Sequence, residues 1–196
     1  LSNTMDTSSC IAALDEALAL ARREYGAASP EAGRVLVALG ALRYWQDDYA
    51  AALELHKQAL VNFSAAGMDL RAEAASARFN AGSALRQLGR FEEALVEERQ
   101  ALDLERELHG EASLEYADVA NGLALTLHGL TRDEEALPFA IAALAVRRGA
   151  LPAGHPRIAD APESLGLAQM GAGEADEAVA ALEECLAIRR RVFGVA

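Results

Sequence analysis

The amino-acid sequence predicts an all-α solenoid, in which helical hairpins of one type stack in a row. Alanines recur at intervals of 42 residues, and each is followed by an aliphatic residue, five further residues, a small residue and a leucine. A second set of small residues lies 12 residues before these alanines. A fixed period of roughly 20 to 50 residues indicates that each repeat buries its apolar face only against its neighbours. The alanines are Ala52, Ala94, Ala136 and Ala178.

Each repeat contains two predicted helices, A and B, separated by a short turn. The second set of small residues lies in helix A, where apolar residues recur at helical spacing, as at Val35, Leu36 and Leu39. Because helices approach closely only where no long side chain stands between them, we expect this small residue to face the alanine of helix B. The small residues of helix A are Gly40, Gly82, Ala124 and Gly166, and the predicted turns are 46–48, 89–90, 131–133 and 171–173.

The predicted helix ends carry capping residues. Ser29 before Pro30 is a typical N-cap followed by proline at the first helical position, and His155 before Pro156 occupies the equivalent place. Acidic pairs precede three of the alanines, where carboxylates stabilise the first turn of helix B through the helix dipole. The pairs are Glu92-Glu93, Glu134-Glu135 and Asp176-Glu177.

The repeats predict one elongated domain over residues 1–196. Residues 7–25 match a helix B whose helix A is absent, so we expect nine helices. The predicted units are an N-terminal half repeat at 7–32 and four repeats at 33–74, 75–116, 117–158 and 159–194. Because the chain begins at Leu1 rather than Met, we expect it to be a piece of a longer protein.

Composition excludes several classes of protein. A net charge of −12 argues against binding to a nucleic-acid backbone, which requires a clustered basic surface, and it favours neutral or basic partners or simply keeps the helices soluble. Two cysteines do not predict a disulfide framework. No apolar run has the length of a membrane span, and no signal peptide precedes the repeats, so a cytoplasmic location with no membrane partner is predicted. The single lysine among 18 basic residues is typical of GC-rich bacteria.

The sequence contains no recognisable chemistry of a catalytic or metal site. The four histidines neither pair at metal-ligand spacing nor form a motif with the cysteines. Phosphate-binding loops, nucleophile elbows and zinc-protease motifs are missing. We therefore predict no catalytic residue, no metal and no cofactor, and expect that the chain is not an enzyme. The histidines are His56, His109, His128 and His155, and the cysteines are Cys10 and Cys185.

The repeats resemble the tetratricopeptide repeat, in the 42-residue form of kinesin light chains and bacterial signalling proteins. Residues 117–124 are similar to the light-chain motif Ala-x-x-Leu-Asn-Asn-Leu-Ala, and Gly154-His155-Pro156 precedes a helix A as in that family. Repeat two departs from the pattern at Ala81 and Leu85, where leucine and an aromatic residue are usual. The resemblance implies a right-handed superhelix whose A helices line a concave groove. The matching residues of repeat two are Gly82, Gly89, Phe91, Ala94 and Ala101.

The resemblance also implies which side chains face that groove. Positions near the second, fifth, ninth, twelfth and thirteenth residues of helix A are expected to contact a protein or peptide partner. The alternative for each of these side chains is that it packs against a neighbouring helix. The candidates are Arg34, Val37, Ala41, Tyr44, Trp45, Phe79, Asn80, Ser83, Arg86, Asn121, Leu125, His128, Glu163, Leu167 and Met170.

Two further expectations concern recognition. Asn80 and Asn121 carry amides that both donate and accept, so they are suited to pairing with a peptide backbone. Members of the family that bind chaperone tails hold a carboxylate with Lys and Asn at the fifth and ninth places of helix A. Other residues occupy those places here, so we predict no such clamp. They are Val37, Ala41, Phe79, Ser83, Asn121, Leu125, Glu163 and Leu167.

Three functions fit the sequence. The first is a bacterial scaffold or regulatory segment that captures a protein or peptide in its groove. The second is a sensing domain in which a ligand changes the superhelix and switches an attached effector. The third is self-assembly, because the sequence runs to Arg191-Val192-Phe193-Gly194 without a polar capping helix, and repeat arrays normally need caps.

Overall fold

A computed structural model describes residues 7–66, 69–152 and 155–193. Over these ranges the chain forms nine α-helices and no β-strand, which confirms the all-α prediction. Predictions that rest on Gly154 and Gly194 lie outside the described residues. The helices are α1 (Thr7–Tyr25), α2 (Pro30–Trp45), α3 (Tyr49–Ala65), α4 (Arg71–Gln87), α5 (Phe91–His109), α6 (Leu114–Gly129), α7 (Asp133–Ala150), α8 (Pro156–Ala172) and α9 (Ala175–Phe193).

Helix A corresponds to α2, α4, α6 and α8, and helix B to α1, α3, α5, α7 and α9. Each helix A begins three or four residues before the repeat bounds counted from the sequence. The predicted caps are confirmed, because Ala32 donates its backbone N–H to Ser29 Oγ at 3.2 Å and Arg157 donates its own to His155 Nδ1 at 3.2 Å. The acidic pairs lie in the first turns of α5, α7 and α9, as predicted.

The turn from helix A to helix B has a left-handed residue at the same register in all four repeats. Glycine supplies it twice, at Gly89 with φ 72° and Gly173 with φ 86°. Asp47 with φ 60° and Thr131 with φ 56° occupy the same place in repeats one and three. Positive φ is unusual for residues other than glycine, and a β-branched residue such as threonine tolerates it least. The register thus imposes a backbone conformation that is strained at Thr131.

Two turns are shorter than the sequence predicts. Helix α7 already begins at Asp133, and α8 continues through Gly171 to Ala172. The Asp133 carboxylate packs directly against Gly171, where a Cβ atom would collide with it. Glycine is therefore required inside α8 by this contact and does not mark the helix end.

The chain divides after Ala101 into two compact units. In the first unit α1 packs on α2, α2 on α3 and α3 on α4. Its buried residues form two apolar clusters, one around Leu36, Leu39 and Phe63 and the other around Ala52 and Leu85.

In the second unit α6 packs on α7, α7 on α8, α8 on α9 and α6 on α8. An apolar cluster contains Leu144, Ile158 and Ala161. Buried Arg147 of α7 donates to Asp118 Oδ1 of α6 at 2.9 Å, and Arg157 of α8 donates to the second oxygen of the same carboxylate. This carboxylate therefore connects three helices of the unit.

The close contact between helices A and B also involves a side chain that the sequence does not single out. The four alanines of the repeat are buried, as a packing role requires. However, a Cβ atom at Gly40 would lie 2.6 Å from a His56 ring carbon, and one at Gly82 would lie 2.6 Å from Glu98 Cγ. Each of these side chains lies four residues after the alanine, so the atoms nearest to the helix-A glycine belong to the following turn of helix B. In repeat four, Leu182 occupies the equivalent position, 2.7 Å from a Cβ at Gly166, and the backbone oxygen of Ala178 lies 3.2 Å from the same Cβ, so this glycine also faces the repeat alanine.

Candidate functional site

In the first unit, predicted groove residues form two facing stripes, one on α2 and one on α4. Within each stripe the residues are three or four positions apart, which places them on one face of the helix. We call the surface between the stripes the α2–α4 trough. Six of its eight residues are groove candidates from the sequence, and the other two are Glu73 and Ser76. The trough consists of Arg34, Val37, Ala41 and Tyr44 on α2 and Glu73, Ser76, Asn80 and Ser83 on α4.

One half of the trough is a small pocket of about 170 Å³, which we call the His56 pocket. A cavity of about 150 Å³ holds a benzene ring, so this pocket has room for one medium-sized side chain. Five of its six lining residues are groove candidates from the sequence, whereas His56 comes from helix B. The structure thus brings these candidates together around one cavity. The lining residues are Ala41, Tyr44, Trp45, His56, Asn80 and Ser83.

His56 forms the floor of this pocket. Its side chain is 1% exposed and packs against Gly40, which leaves room for the ring because glycine has no side chain. The buried Nδ1 atom makes no hydrogen bond to the protein. Burial lowers the pKa of His56 to about 4, because the interior disfavours the charged imidazolium. At neutral pH the floor therefore presents an uncharged imidazole with one donor and one acceptor nitrogen.

Three aromatic rings lie at the end of the trough. Tyr44 contacts Trp45 with ring centroids 6.3 Å apart and Tyr49 with centroids 5.1 Å apart, both edge to face. The Tyr49 hydroxyl donates to Asp47 Oδ1 at 2.6 Å, and this hydrogen bond raises the pKa of Tyr49. Trp45 is 81% exposed and also borders an apolar recess between α1 and α2. An exposed tryptophan of this kind gives a partner a large apolar contact.

The other half of the trough is a wider pocket of about 410 Å³, which we call the Phe63 pocket. Phe63 is buried at its base, and Val37 adds an apolar wall. Arg34 of α2 donates to Glu73 Oε1 of α4 at 2.7 Å, and this bond lowers the pKa of Glu73. The pocket therefore has an apolar base with an ion pair at its edge. Its lining residues are Arg34, Val37, Phe63, Ala72, Glu73 and Ser76.

Two groove candidates of α4 line neither pocket. Phe79 is half-buried. Arg86 lies with its Nε atom 3.7 Å from Oε1 of Glu98, which is fully buried against Gly82. The guanidinium thus balances a carboxylate inside the first unit, and a contact of Arg86 with a partner stays a prediction.

In the second unit the candidates lie on α6 and α8. Asn121 is 8% exposed, and its Oδ1 accepts a hydrogen bond from buried Ser164 Oγ at 2.7 Å. The acceptor atom of this amide is therefore used between α6 and α8. The expectation that Asn121 pairs with a peptide backbone stays a prediction.

The remaining candidates of the second unit differ in exposure. His128 Nδ1 lies 2.6 Å from Asp133 Oδ1, and Glu163 accepts from Arg189 of α9. Both side chains thus have partners within their own unit. Leu125 and Leu167 are half-buried, and Met170 is 54% exposed.

Sequence analysis missed the two residues at the bases of the pockets. His56 and Phe63 lie on helix B, whereas the resemblance implies groove positions only on helix A. A signal for His56 was present, since it lies one turn after Ala52 on the face that helix B presents to helix A. A polar residue at that position indicates either a buried hydrogen bond or a site.

Three further observations concern membrane spans, metal ligands and cysteines among the described residues. None of their helices is long and apolar enough to cross a membrane. Within the same part of the chain, no three His, Cys, Asp or Glu side chains group in a way that could hold a metal ion. Cys10 and Cys185 are both free thiols.

One family model described as tetratricopeptide repeat matches residues 31–107 and 70–149. A second model with the same description matches residues 163–196. Among curated proteins, no sequence matches this chain. The matched ranges cover every predicted full repeat wholly or in part.

Solved structures resemble the chain in fold at low sequence identity. BtubC from P. vanneervenii is 21% identical, with a TM-score of 0.75 over 95% of this chain and 75% of that chain. A putative kinesin light chain from Podosopora anserina is 17% identical, with a TM-score of 0.75 over 96% and 89% of the two chains. YrrB, described as a protein of this repeat class with an unusual peptide-binding site, is 19% identical, with a TM-score of 0.63 over 92% and 80%. The predicted solenoid of helix-turn-helix units is thereby confirmed, and this chain belongs to the tetratricopeptide repeat family.

Proposed function

We propose that this chain is a non-enzymatic interaction module that binds a peptide or protein segment in the α2–α4 trough. The observation that carries the proposal is the His56 pocket, where helix-A candidates meet around a cavity with a neutral polar base. Proteins of this repeat family generally bind other proteins, and the description of YrrB as having a peptide-binding site supports the same class of ligand. Cytoplasmic location, bacterial origin and a signalling role are predictions from composition and resemblance.

The electrostatics of the trough favour a partner without an exposed anion at its centre. Val37, Ala41, Ser76, Asn80 and Ser83 are uncharged. The one cation of the trough, Arg34, already binds Glu73. With a net charge of −12 over the chain, a basic partner is attracted and an acidic one repelled. This also disfavours a carboxylate clamp for chaperone tails and disfavours nucleic acid.

A matched pair of arginine substitutions tests the proposal. Ser83→Arg places a long cation in the His56 pocket, whereas Ser64→Arg places the same side chain on the exposed face of α3. We expect the tagged wild type and Ser64→Arg to recover the same protein partner from cells, and Ser83→Arg to lose it while keeping wild-type circular dichroism. Equal recovery by both variants would refute the trough as the binding surface.

The same material separates the two alternative functions. Sensing predicts that a bound ligand changes the small-angle scattering profile of the chain together with the activity of an attached effector. Self-assembly predicts a concentration-dependent increase in sedimentation coefficient that Ser83→Arg leaves unchanged.

A further inference from the structure

The two pockets of the trough are built on the same plan, shifted by seven residues. Arg34 and Val37 of α2 correspond to Ala41 and Tyr44, which lie seven positions later. The same shift relates Glu73 and Ser76 of α4 to Asn80 and Ser83. On α3 the bases, His56 and Phe63, are also seven residues apart.

This spacing selects among peptide conformations. Seven residues of an α-helix rise by about 10.5 Å, so the pockets are separated by about that distance along the helices. An α-helix lying along the trough places its residues i and i+7 on one face at the same separation. Polyproline II places equivalent side chains about 9.3 Å apart. An extended strand places them about 7 or about 13 Å apart. The helix therefore fits the two pockets best.

The bases of the pockets differ in polarity and define what each accepts. Phe63 belongs to the apolar core, so its pocket gains most from an aliphatic side chain. His56 keeps a buried nitrogen without a hydrogen bond, beside the amide of Asn80 and the hydroxyl of Ser83. Buried polar groups of this kind are stabilised by a ligand that completes their hydrogen bonds. An uncharged polar side chain can do so without the desolvation cost of an ion.

Both ends of the trough have an excess of negative charge. At one end Arg34 lies 4.0 Å from Glu31 and 2.7 Å from Glu73, so one cation faces two carboxylates. At the other end Asp47 and Asp48 follow α2, whose last turn contains the single cation Arg43, and the cation in the last turn of α4, Arg86, is balanced by Glu98. Each end thus carries an excess of one negative charge, which complements basic residues that flank the buried face of a partner.

We propose, on the basis of the function proposed above, that the occupant of the trough is a basic amphipathic α-helix. It inserts an aliphatic side chain into the Phe63 pocket and, seven residues away, an uncharged hydrogen-bonding side chain into the His56 pocket. Its Lys and Arg residues lie over the acidic ends of the trough. The specificity of the site therefore resides in a heptad spacing of two chemically different side chains.

Synthetic helices and the fluorescence of Trp45, the one tryptophan of the chain, provide the test. Capped Ala- and Lys-based peptides of about 20 residues form helices long enough to cover the trough. One peptide carries Leu and Gln seven residues apart, and its control has the same composition with the two residues five apart. We expect a blue shift of Trp45 emission on binding and an affinity at least about tenfold higher for the heptad peptide.

Protein variants connect this difference to the pockets. Val37→Arg obstructs the Phe63 pocket, and Val61→Arg introduces the same side chain at a position on α3 that is 65% exposed. We expect Val37→Arg to remove the preference for the heptad peptide and Val61→Arg to preserve it. Replacing the peptide Gln by Glu should weaken binding to the wild type by about tenfold or more, because the His56 pocket provides no cation.

Several results would contradict the proposal that the trough binds an α-helix. These are equal affinity of the heptad peptide and its control, an unchanged preference in Val37→Arg, or no binding of either helix. Tighter binding of a proline-containing version that cannot form a helix would also overturn it. In each case the proposed function still stands if Ser83→Arg loses the cellular partner while Ser64→Arg retains it, so the two failures are distinguishable.

Discussion

Acidification should destabilise the first unit through one buried histidine. His56 is 1% exposed, and burial lowers its pKa to about 4. An imidazole in an unfolded chain titrates near 6.5. Between these values the unfolded chain binds a proton that the folded chain excludes, so the free energy of unfolding falls as the pH decreases. The contribution of neutral His56 to the free energy of unfolding is complete above pH 6.5 and is lost as the pH falls toward 4.

The magnitude follows from the two pKa values. Their full difference corresponds to about 3 kcal/mol, and about 2 kcal/mol is already lost at about pH 5. Some carboxylates have a lowered pKa in the folded chain and affect its stability in a lower pH range. They include Asp69, Glu73 and Glu93. Their stabilisation is present above the unfolded carboxyl value near 4 and is lost below it. Burial raises the pKa of Asp160, so the effect of His56 is measured as the difference between the wild type and a variant without this histidine, because Asp160 is present in both.

Urea unfolding followed by circular dichroism measures this effect at about pH 7.5 and about pH 5. His56→Gln keeps a polar side chain of similar size and removes the titration, so its free energy of unfolding should decrease by about 2 kcal/mol less than that of the wild type. Lys57→Gln, at the exposed neighbouring position, should behave as the wild type does. Equal losses in the wild type and His56→Gln would refute the reasoning.

Four further substitutions test the packing by thermal and urea unfolding. Gly40→Ala should destabilise by about 1 to 3 kcal/mol, because its Cβ would overlap the buried imidazole, whereas Gly149→Ala, with open space around its Cβ, should stabilise by up to about 1 kcal/mol. Thr131→Gly should raise the free energy of unfolding by about 0.5 to 1 kcal/mol by relieving the positive φ, and a decrease would contradict the strain. Arg86→Ala removes the guanidinium near the buried carboxylate of Glu98 and should cost about 3 kcal/mol, so wild-type stability in this variant would disprove that role.

The sequence predicts the helices well because the repeat fixes their register. Thr7–Tyr25 is one helix, as expected, and the caps at Ser29 and His155 lie where the pattern places them. At Asp47 and Thr131 the repeat register predicts a backbone conformation that the residue type alone does not. Neither residue indicates a left-handed turn by itself, but each aligns with a glycine in another repeat.

The contact between helices A and B could not be derived in the same way. Periodicity identifies the buried face of a helix, but residues one turn apart share that face, and the offset between two helices depends on the turn that joins them. The pattern predicts Ala52 opposite Gly40, and the side chain nearest to Gly40 is that of His56, one turn later. For the same reason the bases of both pockets remained hidden, although six residues of the trough were identified.

The position one turn after the repeat alanine provides the link between packing and function. In repeats three and four it is occupied by Ala140 and Leu182, which are compatible with a buried helix contact, whereas repeats one and two contain His56 and Glu98. Burying either polar group costs free energy that an aliphatic residue would not. For Glu98 the nearby guanidinium of Arg86 offsets the cost within the fold. For His56 no hydrogen bond offsets the burial of Nδ1. A buried polar residue in place of an aliphatic one is unfavourable for folding. Where such a residue also borders a cavity, we expect that binding accounts for its presence. We therefore propose the His56 pocket, which Tyr44 and Trp45 also line, as the centre of recognition.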